Sequence, residues 1–120
     1  MLYALLAYHE ENDVMSWSAD EDAKVMRDLM EVHQKLAGRL GPAARLGPTA
    51  KAQTLRGTGT GQSLDGPFAE TKEQLLGFYI VNCAGLDEVI DIAKELGQAN
   101  PGGAYEIRPV GVFFPGKAAS

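Results

Sequence analysis

The sequence predicts an α+β domain in which an antiparallel sheet carries two helices on one face. Three observations predict this class. Nearly continuous apolar runs at residues 1–8 and 74–84 suit central strands of a sheet. A segment with apolar residues at helical spacing follows each run. The elements follow one another along the chain as strand, helix, strand hairpin, strand, helix, strand. This order favours a layer of helices packed on one face of a sheet.

The first 38 residues predict the first strand and the first helix. Residues 1–8 form the strand, and Ser18 and Glu21 form a capping box at the start of the helix. Gly38 supplies a natural helix end. The apolar stripe of the helix contains Val25, Leu29, Val32 and Leu36, widened by Met26, Met30 and Ala37.

Residues 38–48 are predicted to be a loop, because two Gly-Pro steps disfavour helix there. Residues 50–56 alternate small and polar side chains and predict an exposed strand. The glycine-rich segment 57–61 then turns the chain, and residues 62–65 return as the second arm of a hairpin.

The second half of the chain repeats the strand and helix pattern. Residues 74–84 predict the second core strand, and residues 86–96 predict a helix that Gly97 ends. Residues 104–110 alternate again and predict the last strand. The resulting β-α-β-β-α-β order is the ferredoxin-like arrangement. We expect residues 1–120 to form a single domain, with 113–120 as a loose tail.

The sheet should have a second, uncovered face. The strands at 1–8 and 74–84 are apolar at adjacent positions and not only at alternate ones, so both faces of the sheet carry apolar side chains. An exposed apolar sheet face is an interaction surface. The sequence therefore predicts a homodimer that packs through this sheet face.

Composition excludes several classes of partner. The net charge of −5 and the lack of a Lys/Arg cluster argue against nucleic acid. The first apolar run has no basic segment before it and is too short to cross a membrane, so neither a membrane span nor a signal peptide is expected. The single cysteine, Cys83, lies in an apolar run and is expected to be a buried thiol. A cytoplasmic protein is the simplest expectation.

Residues 65–73 read Asp-Gly-Pro-Phe-Ala-Glu-Thr-Lys-Glu, and this run resembles the motif of the DGPF group in the YCII-related family. Further matches are residues 77–79, 86–88 and 106–110, so the resemblance covers nearly the whole chain. It implies a dimeric α/β-barrel assembly, in agreement with the fold expected from the residues.

The resemblance also carries expectations about function. Some members of the wider family hold a histidine–aspartate pair in a pocket, and related families act on small aromatic-derived compounds. His33 is the only candidate here for the histidine, and Asn100 stands where the aspartate would be. An asparagine orients an imidazole but does not stabilise its charged form. Members of the DGPF group also occur near sigma factors, which suggests a sigma-factor partner.

Two residues are candidates for acid–base catalysis. Asp65 is either the first residue of an Asx-type turn or the acid/base of a pocket. His33 is either a core or interface residue or a general base, since only imidazole titrates unperturbed near neutral pH. His9, beside two glutamates, is expected to be solvated.

Four residues are candidates for substrate binding: Phe68, Glu70, Lys72 and Arg108. The three from the motif either frame a polar pocket or form a charged sheet edge with Phe68 beside it. Arg108 either makes a cross-strand salt bridge or anchors a substrate carboxylate. We expect Asp65 and Phe68 to line the pocket, with Tyr3, Tyr79 or Trp17 as aromatic walls.

No cofactor is expected. The 57–61 segment lacks the spacing of a nucleotide-binding loop, and the two histidines lack partners at zinc-ligand spacing. The sequence thus favours a cofactor-free lyase or isomerase acting on a small carboxylated or aromatic-derived metabolite. The alternative is a non-catalytic ligand-binding or regulatory module associated with a sigma-factor-type transcription system.

Overall fold

The architecture is a four-stranded antiparallel sheet with helices on one face, seen in a computed structural model that describes residues 1–55 and 63–116. The strands of the sheet are β1 (Leu2–Glu10), β2 (Leu40–Arg45), β5 (Glu73–Asn82) and β6 (Ala104–Pro109), and β3 (Gln53–Leu55) pairs with β4 (Ser63–Asp65) in a separate ribbon. The helices are α1 (Glu11–Met15), α2 (Ala19–Lys35) and α3 (Leu86–Ala99), with a 3₁₀ turn at Thr49–Lys51.

The spatial order of the sheet is β2-β5-β1-β6, with every neighbouring pair antiparallel. Strand β5 therefore lies between β1 and β2, which is the split arrangement expected of a ferredoxin-like domain. The predicted α+β class and the ferredoxin-like arrangement of the sheet are confirmed.

Strand β2 was not predicted from the sequence. Residues 40–45 were expected to be loop, but they form the edge strand β2, which pairs with β5. The register is irregular between Leu40 and Ala43, where Gly41 and Pro42 lie. Edge strands and bulges tolerate proline, because its missing N–H is not needed there. The Gly-Pro step therefore interrupts the ladder without ending the strand.

The predicted hairpin at residues 50–65 is an insertion and not part of the main sheet. Its two arms, β3 and β4, pair only with each other among the described residues. The expected strand at 50–56 begins as a 3₁₀ turn and continues as Gln53–Leu55. The hairpin tip at 57–61, with Arg56 and Gln62, lies outside the described residues.

The core lies between the sheet and the two long helices. Helix α3 buries Val89, Ile92, Leu96 and Ala99 at spacings of three and four, whereas α2 buries only Leu29 within its span. Leu5 and Val81 of the central strands are fully buried beneath them. Cys83 is buried as predicted. The looser contact of α2 with the sheet leaves room for a cleft.

The start of α2 follows its sequence signal, but the predicted end of the second long helix at Gly97 is wrong, because α3 continues through that residue to Ala99. The Ser18 side chain accepts a hydrogen bond from the Glu21 backbone N–H at 3.1 Å, which confirms the predicted cap. Gly38, after α2, has a φ of 92°, a conformation that glycine adopts without strain. In the described part of the chain, none of the helices is long and apolar enough to cross a membrane.

Candidate functional site

A cleft of about 270 Å³ lies between α2 and the sheet. Its floor consists of small residues on the helix-facing side of three strands: Ala7 of β1, Gly77 of β5 and Ala43 of β2. Ala7 pairs with Gly77, and Ala43 pairs with Tyr79. Small side chains at adjacent register positions leave space that larger side chains would fill, so the sequence itself creates the cleft.

The sheet is also distorted beside this floor. The register of β1 and β5 shifts after Ala7, so that Tyr8 pairs with Leu75 and Leu76 is the extra residue. Bulges bend a strand and are common next to functional sites. At the same point β2 lies unusually close to β5. A Cβ on Gly77 would lie only 2.6 Å from the Ala44 carbonyl oxygen, so the close approach requires glycine there.

The polar centre of the cleft is a histidine–tyrosine pair. The Nε2 atom of His33 on α2 lies 2.8 Å from the hydroxyl oxygen of Tyr79 on β5. The two rings meet edge to face, with centroids 5.4 Å apart. His33 faces the cleft because it lies four residues after Leu29, on the stripe of α2 that faces the sheet.

Burial controls the ionisation of the tyrosines. Desolvation raises the pKa of Tyr79 to about 12, and the nearby Tyr105 adds to this effect. Desolvation also raises the pKa of Tyr105, while a hydrogen bond with the Asn100 side chain lowers it in part. Tyr79 therefore keeps its proton at neutral pH, so its hydroxyl can donate a hydrogen bond to His33 or accept one from the Nε2–H tautomer.

Asn100 and Tyr105 extend the polar centre along the floor. The Tyr79 and Tyr105 rings have centroids 6.4 Å apart, and both side chains line the cleft together with Asn100. The Oδ1 atom of Asn100 is buried, and within residues 1–55 and 63–116 it has no hydrogen-bond partner. The residue in the position expected for the family acid is thus present at the cleft, next to Tyr105.

The other end of the cleft contains Trp17 and His9, whose rings meet edge to face with centroids 5.7 Å apart. The expectation that His9 is solvated is wrong, since only 6% of it is exposed. Its Nε2 atom lies 3.1 Å from the Pro101 carbonyl oxygen. The loop approaches so closely because Gly103 has no side chain; a Cβ there would lie 3.0 Å from the imidazole Cδ2.

The structure separates the two residues expected to act in catalysis. His33 lines the cleft, but Asp65 is an exposed residue at the end of β4 and does not line it. Phe68 is 70% exposed and also lies outside the cleft. Of the expected aromatic walls, Tyr79 and Trp17 line the cleft, whereas Tyr3 is buried in the core. The catalytic role of Asp65 stays a prediction.

Glu70 and Lys72 line a second, open depression with Glu10, Glu11 and Thr49. The Lys72 ammonium lies 3.8 Å from the Glu10 carboxylate, and the lysine side chain is 80% exposed, so this long ion pair contributes little to stability. The Glu11 carboxylate accepts hydrogen bonds from the backbone N–H and hydroxyl of Thr49, which lower its pKa. These contacts attach the 3₁₀ turn to α1.

Arg108 lies on the face of the sheet opposite the cleft. It pairs with Ala4 in the register of β1 and β6, next to Leu5, which faces the core. Its guanidinium makes an ion pair with Glu106, two residues away on the same strand. The expected cross-strand partner is therefore replaced by a residue of the same strand, and substrate binding by Arg108 stays a prediction.

Sequence reasoning did not identify Arg45, His9 or the small floor residues as parts of a site. The available signal was the row of small residues at 7, 43 and 77 inside otherwise apolar strands. No group of three or more His, Cys, Asp or Glu side chains within the described ranges is arranged to hold a metal ion.

Comparison with known proteins defines the class of this domain. The family model of the YCII-related domain matches residues 1–113, and the chain belongs to this family. The chain is also 54% identical over 124 residues to an uncharacterised protein of Rhizobium meliloti (strain 1021), with 100% of both chains covered.

Proposed function

We propose that this domain binds a small, largely apolar molecule in the α2–sheet cleft and exchanges a proton with it through His33 and Tyr79. The observation that carries the proposal is the His33–Tyr79 hydrogen bond at the centre of an otherwise mostly apolar cleft. Ligand sites are typically apolar hollows with a few convergent polar groups. The cleft volume of about 270 Å³ suits a ligand smaller than a typical drug.

The two side chains have complementary roles. His33 is the proton acceptor, because an imidazole is a base near neutral pH. Tyr79 keeps its proton, since its pKa is about 12, and donates a hydrogen bond. In the proposed step, Nε2 of His33 takes a proton from a carbon next to a carbonyl. The electrons of the broken C–H bond form an enolate, and the Tyr79 hydroxyl turns to stabilise its oxygen. Return of the proton to another carbon would complete an isomerisation without a cofactor.

Deuterium exchange tests this step directly. Proton NMR in D₂O follows loss of the acidic C–H signals of phenylpyruvate and phenylacetone, with and without protein. We expect His33→Gln to slow the catalysed exchange by roughly 10²- to 10⁴-fold, the usual contribution of a general base. Tyr79→Phe should also slow it.

Asp65→Asn is the discriminating variant in the same assay. The cleft proposal expects exchange at the wild-type rate, since Asp65 does not line the cleft. A loss as large as that of His33→Gln would instead support the catalytic assignment of Asp65. Wild-type rates in His33→Gln would overturn the proton-transfer step.

A second candidate is a non-catalytic ligand-binding or regulatory module. It is favoured by Asn100, which stands in place of the family acid and cannot ionise. Two results together would support this candidate. The wild-type protein would bind a ligand without catalysing deuterium exchange, and the Asn100→Asp variant would gain that exchange. A sigma-factor partner stays a prediction, and recovery of a sigma factor in a pull-down with the full chain would support it.

We also propose a homodimer formed through the sheet face opposite the helices. This open face, defined by Leu2, Ala4, Leu6, Phe78 and Ile80, is apolar and only partly buried within one chain. Contiguous apolar surface of this kind is typical of interaction sites. The cytoplasmic location suggested by the single cysteine stays a prediction.

A further inference from the structure

We propose that the cleft takes an anionic ligand and that Arg45, at the mouth of the cleft, is the residue that binds its carboxylate. This inference rests on the proposed function, because it concerns the ligand of the same cleft. It assigns the preference for an anionic ligand to a residue of the edge strand β2 that the sequence analysis did not identify.

The first argument is the distribution of charge. Among the described residues that line the cleft, Arg45 is the one with a permanent charge, and none is an aspartate or glutamate. The chain as a whole has an excess of acids and a net charge of −5. The lining, with one guanidinium and no acid, therefore differs in sign from the rest of the protein and favours anions, although Asp22 beside the lining offsets part of that charge.

The second argument is the position of the guanidinium. Arg45 pairs with Gly77 at the floor of the cleft, and its side chain extends across the mouth to α2. The Nη2 atom lies 3.4 Å from the Asp22 carboxylate, and Nη1 lies 3.7 Å from the Met26 sulfur. The absence of a side chain at Gly77 lets β2 approach β5 and brings Arg45 over the floor.

The third argument is that the present partners of Arg45 are weak and replaceable. The contact with Asp22 is long, and the two side chains are 56% and 43% exposed, so the ion pair contributes little. A thioether is a weak hydrogen-bond acceptor. A guanidinium has five N–H donors in a planar fork that matches a carboxylate in a bidentate fashion. A ligand carboxylate would therefore replace weak contacts with stronger ones.

The residues at the two ends of the cleft indicate the chemical class of the ligand. Val25, Leu29 and Trp17 provide apolar and aromatic walls, and Arg45 provides the anion site at the mouth. The ligand is a small monocarboxylic acid with an aromatic or short aliphatic body. Its body enters towards His33 and Tyr79, and its carboxylate remains near solvent.

Trp17 gives a direct binding assay, because it is the single tryptophan of the chain and lines the cleft. Its fluorescence is titrated with phenylacetate, 3-phenylpropionate and hexanoate, and with the primary amide of each acid. The amide has the same shape without the charge. We expect each acid to bind at least about tenfold more tightly than its amide, as a charge-assisted bidentate contact implies.

Variants of Arg45 assign the preference to this residue. Arg45→Gln should bind acid and amide equally, with the affinity of the wild-type protein for the amide. Arg45→Lys should keep a reduced preference, since it retains the charge but loses the fork. Asp22→Asn should raise the affinity for the acids. Arg27→Gln, at an exposed position of α2 outside the cleft, is the matched control and should leave the preference unchanged; circular dichroism verifies that each variant is folded.

The outcomes separate this inference from the proposed function. Equal binding of acids and amides by the wild-type protein, or a preference that persists in Arg45→Gln, would overturn the role of Arg45 and leave the binding cleft intact. Binding of none of the six compounds would overturn the cleft as a ligand site, and the anion site with it.

Discussion

The Nε2 atom of His33 and the hydroxyl oxygen of Tyr79 lie 2.8 Å apart, and this contact joins α2 to the central strand β5 across the cleft. Burial raises the pKa of Tyr79 to about 12, so the tyrosine keeps its proton at neutral pH and can donate to the neutral imidazole nitrogen. The histidine is thereby held in one orientation, with its basic nitrogen inside the cleft.

The raised pKa of Tyr79 predicts how stability depends on pH. Its folded-state pKa of about 12 lies above the ordinary value of 10.0, so the unfolded chain loses this proton first as the pH rises. The resulting stability is fully present below pH 10.0 and is lost as the pH rises towards 12. Tyr79→Phe should therefore lose stability less steeply over this range. Urea unfolding at a series of alkaline pH values measures both slopes, and equal slopes would contradict the shift.

Filling the floor of the cleft should abolish binding without unfolding the protein. In Ala43→Leu, the new side chain occupies space between β2 and α2 that is empty in the wild-type chain. We expect loss of the Trp17 fluorescence response to the acids and an unchanged or higher melting temperature. Ala23→Leu, at an exposed position of α2 outside the cleft, is the control. Normal binding by Ala43→Leu would place the ligand elsewhere.

Gly77 should be sensitive even to a single methyl group. A Cβ there would lie 2.6 Å from the Ala44 carbonyl oxygen, so Gly77→Ala forces β2 away from β5. Overpacking of this kind costs about 1–3 kcal/mol of the free energy of unfolding. Gly47→Ala adds the same group where nothing lies within 4 Å, and it should have little effect. Chemical denaturation of both variants provides the measurement; a stable Gly77→Ala would mean that the strands can separate at no cost.

The open sheet face should control assembly. Leu6 lies on this face opposite Phe78, and a charge there would have to be buried in a dimer. Light scattering should give twice the chain mass for the wild-type protein and the single-chain mass for Leu6→Glu. Leu64→Glu, on the exposed hairpin strand β4, should leave the mass unchanged. A monomeric wild-type protein at micromolar concentration would refute the dimer.

Local sequence signals predicted the helices better than the edge of the sheet. The Ser18 cap and the apolar stripe of α2 act between residues three or four apart, so they are readable from the chain itself. Strand β2 was missed because Gly41 and Pro42 indicate a loop when only local preference is considered. Pairing with β5, more than 30 residues later in the chain, overrides that preference.

The site was less predictable for the same reason. His33 and Tyr79 are 46 residues apart in sequence, and no spacing rule brings them together. His9 was misjudged because its environment depends on Gly102 and Gly103, which follow α3 at the far end of the chain. The DGPF-like run was the most conspicuous motif, yet its Asp65 lies on a hairpin inserted between two strands of the sheet.

The position of β1 in the sheet has a consequence for synthesis of the protein. This strand is made first, but both of its neighbours, β5 and β6, come from the last 48 residues of the chain. On the ribosome, this apolar strand therefore has both edges unpaired until β5 and β6 have been synthesised. Such a segment is prone to aggregate and is a natural target for chaperones. A truncation before β6 should leave β1 without one neighbour and the nascent chain insoluble.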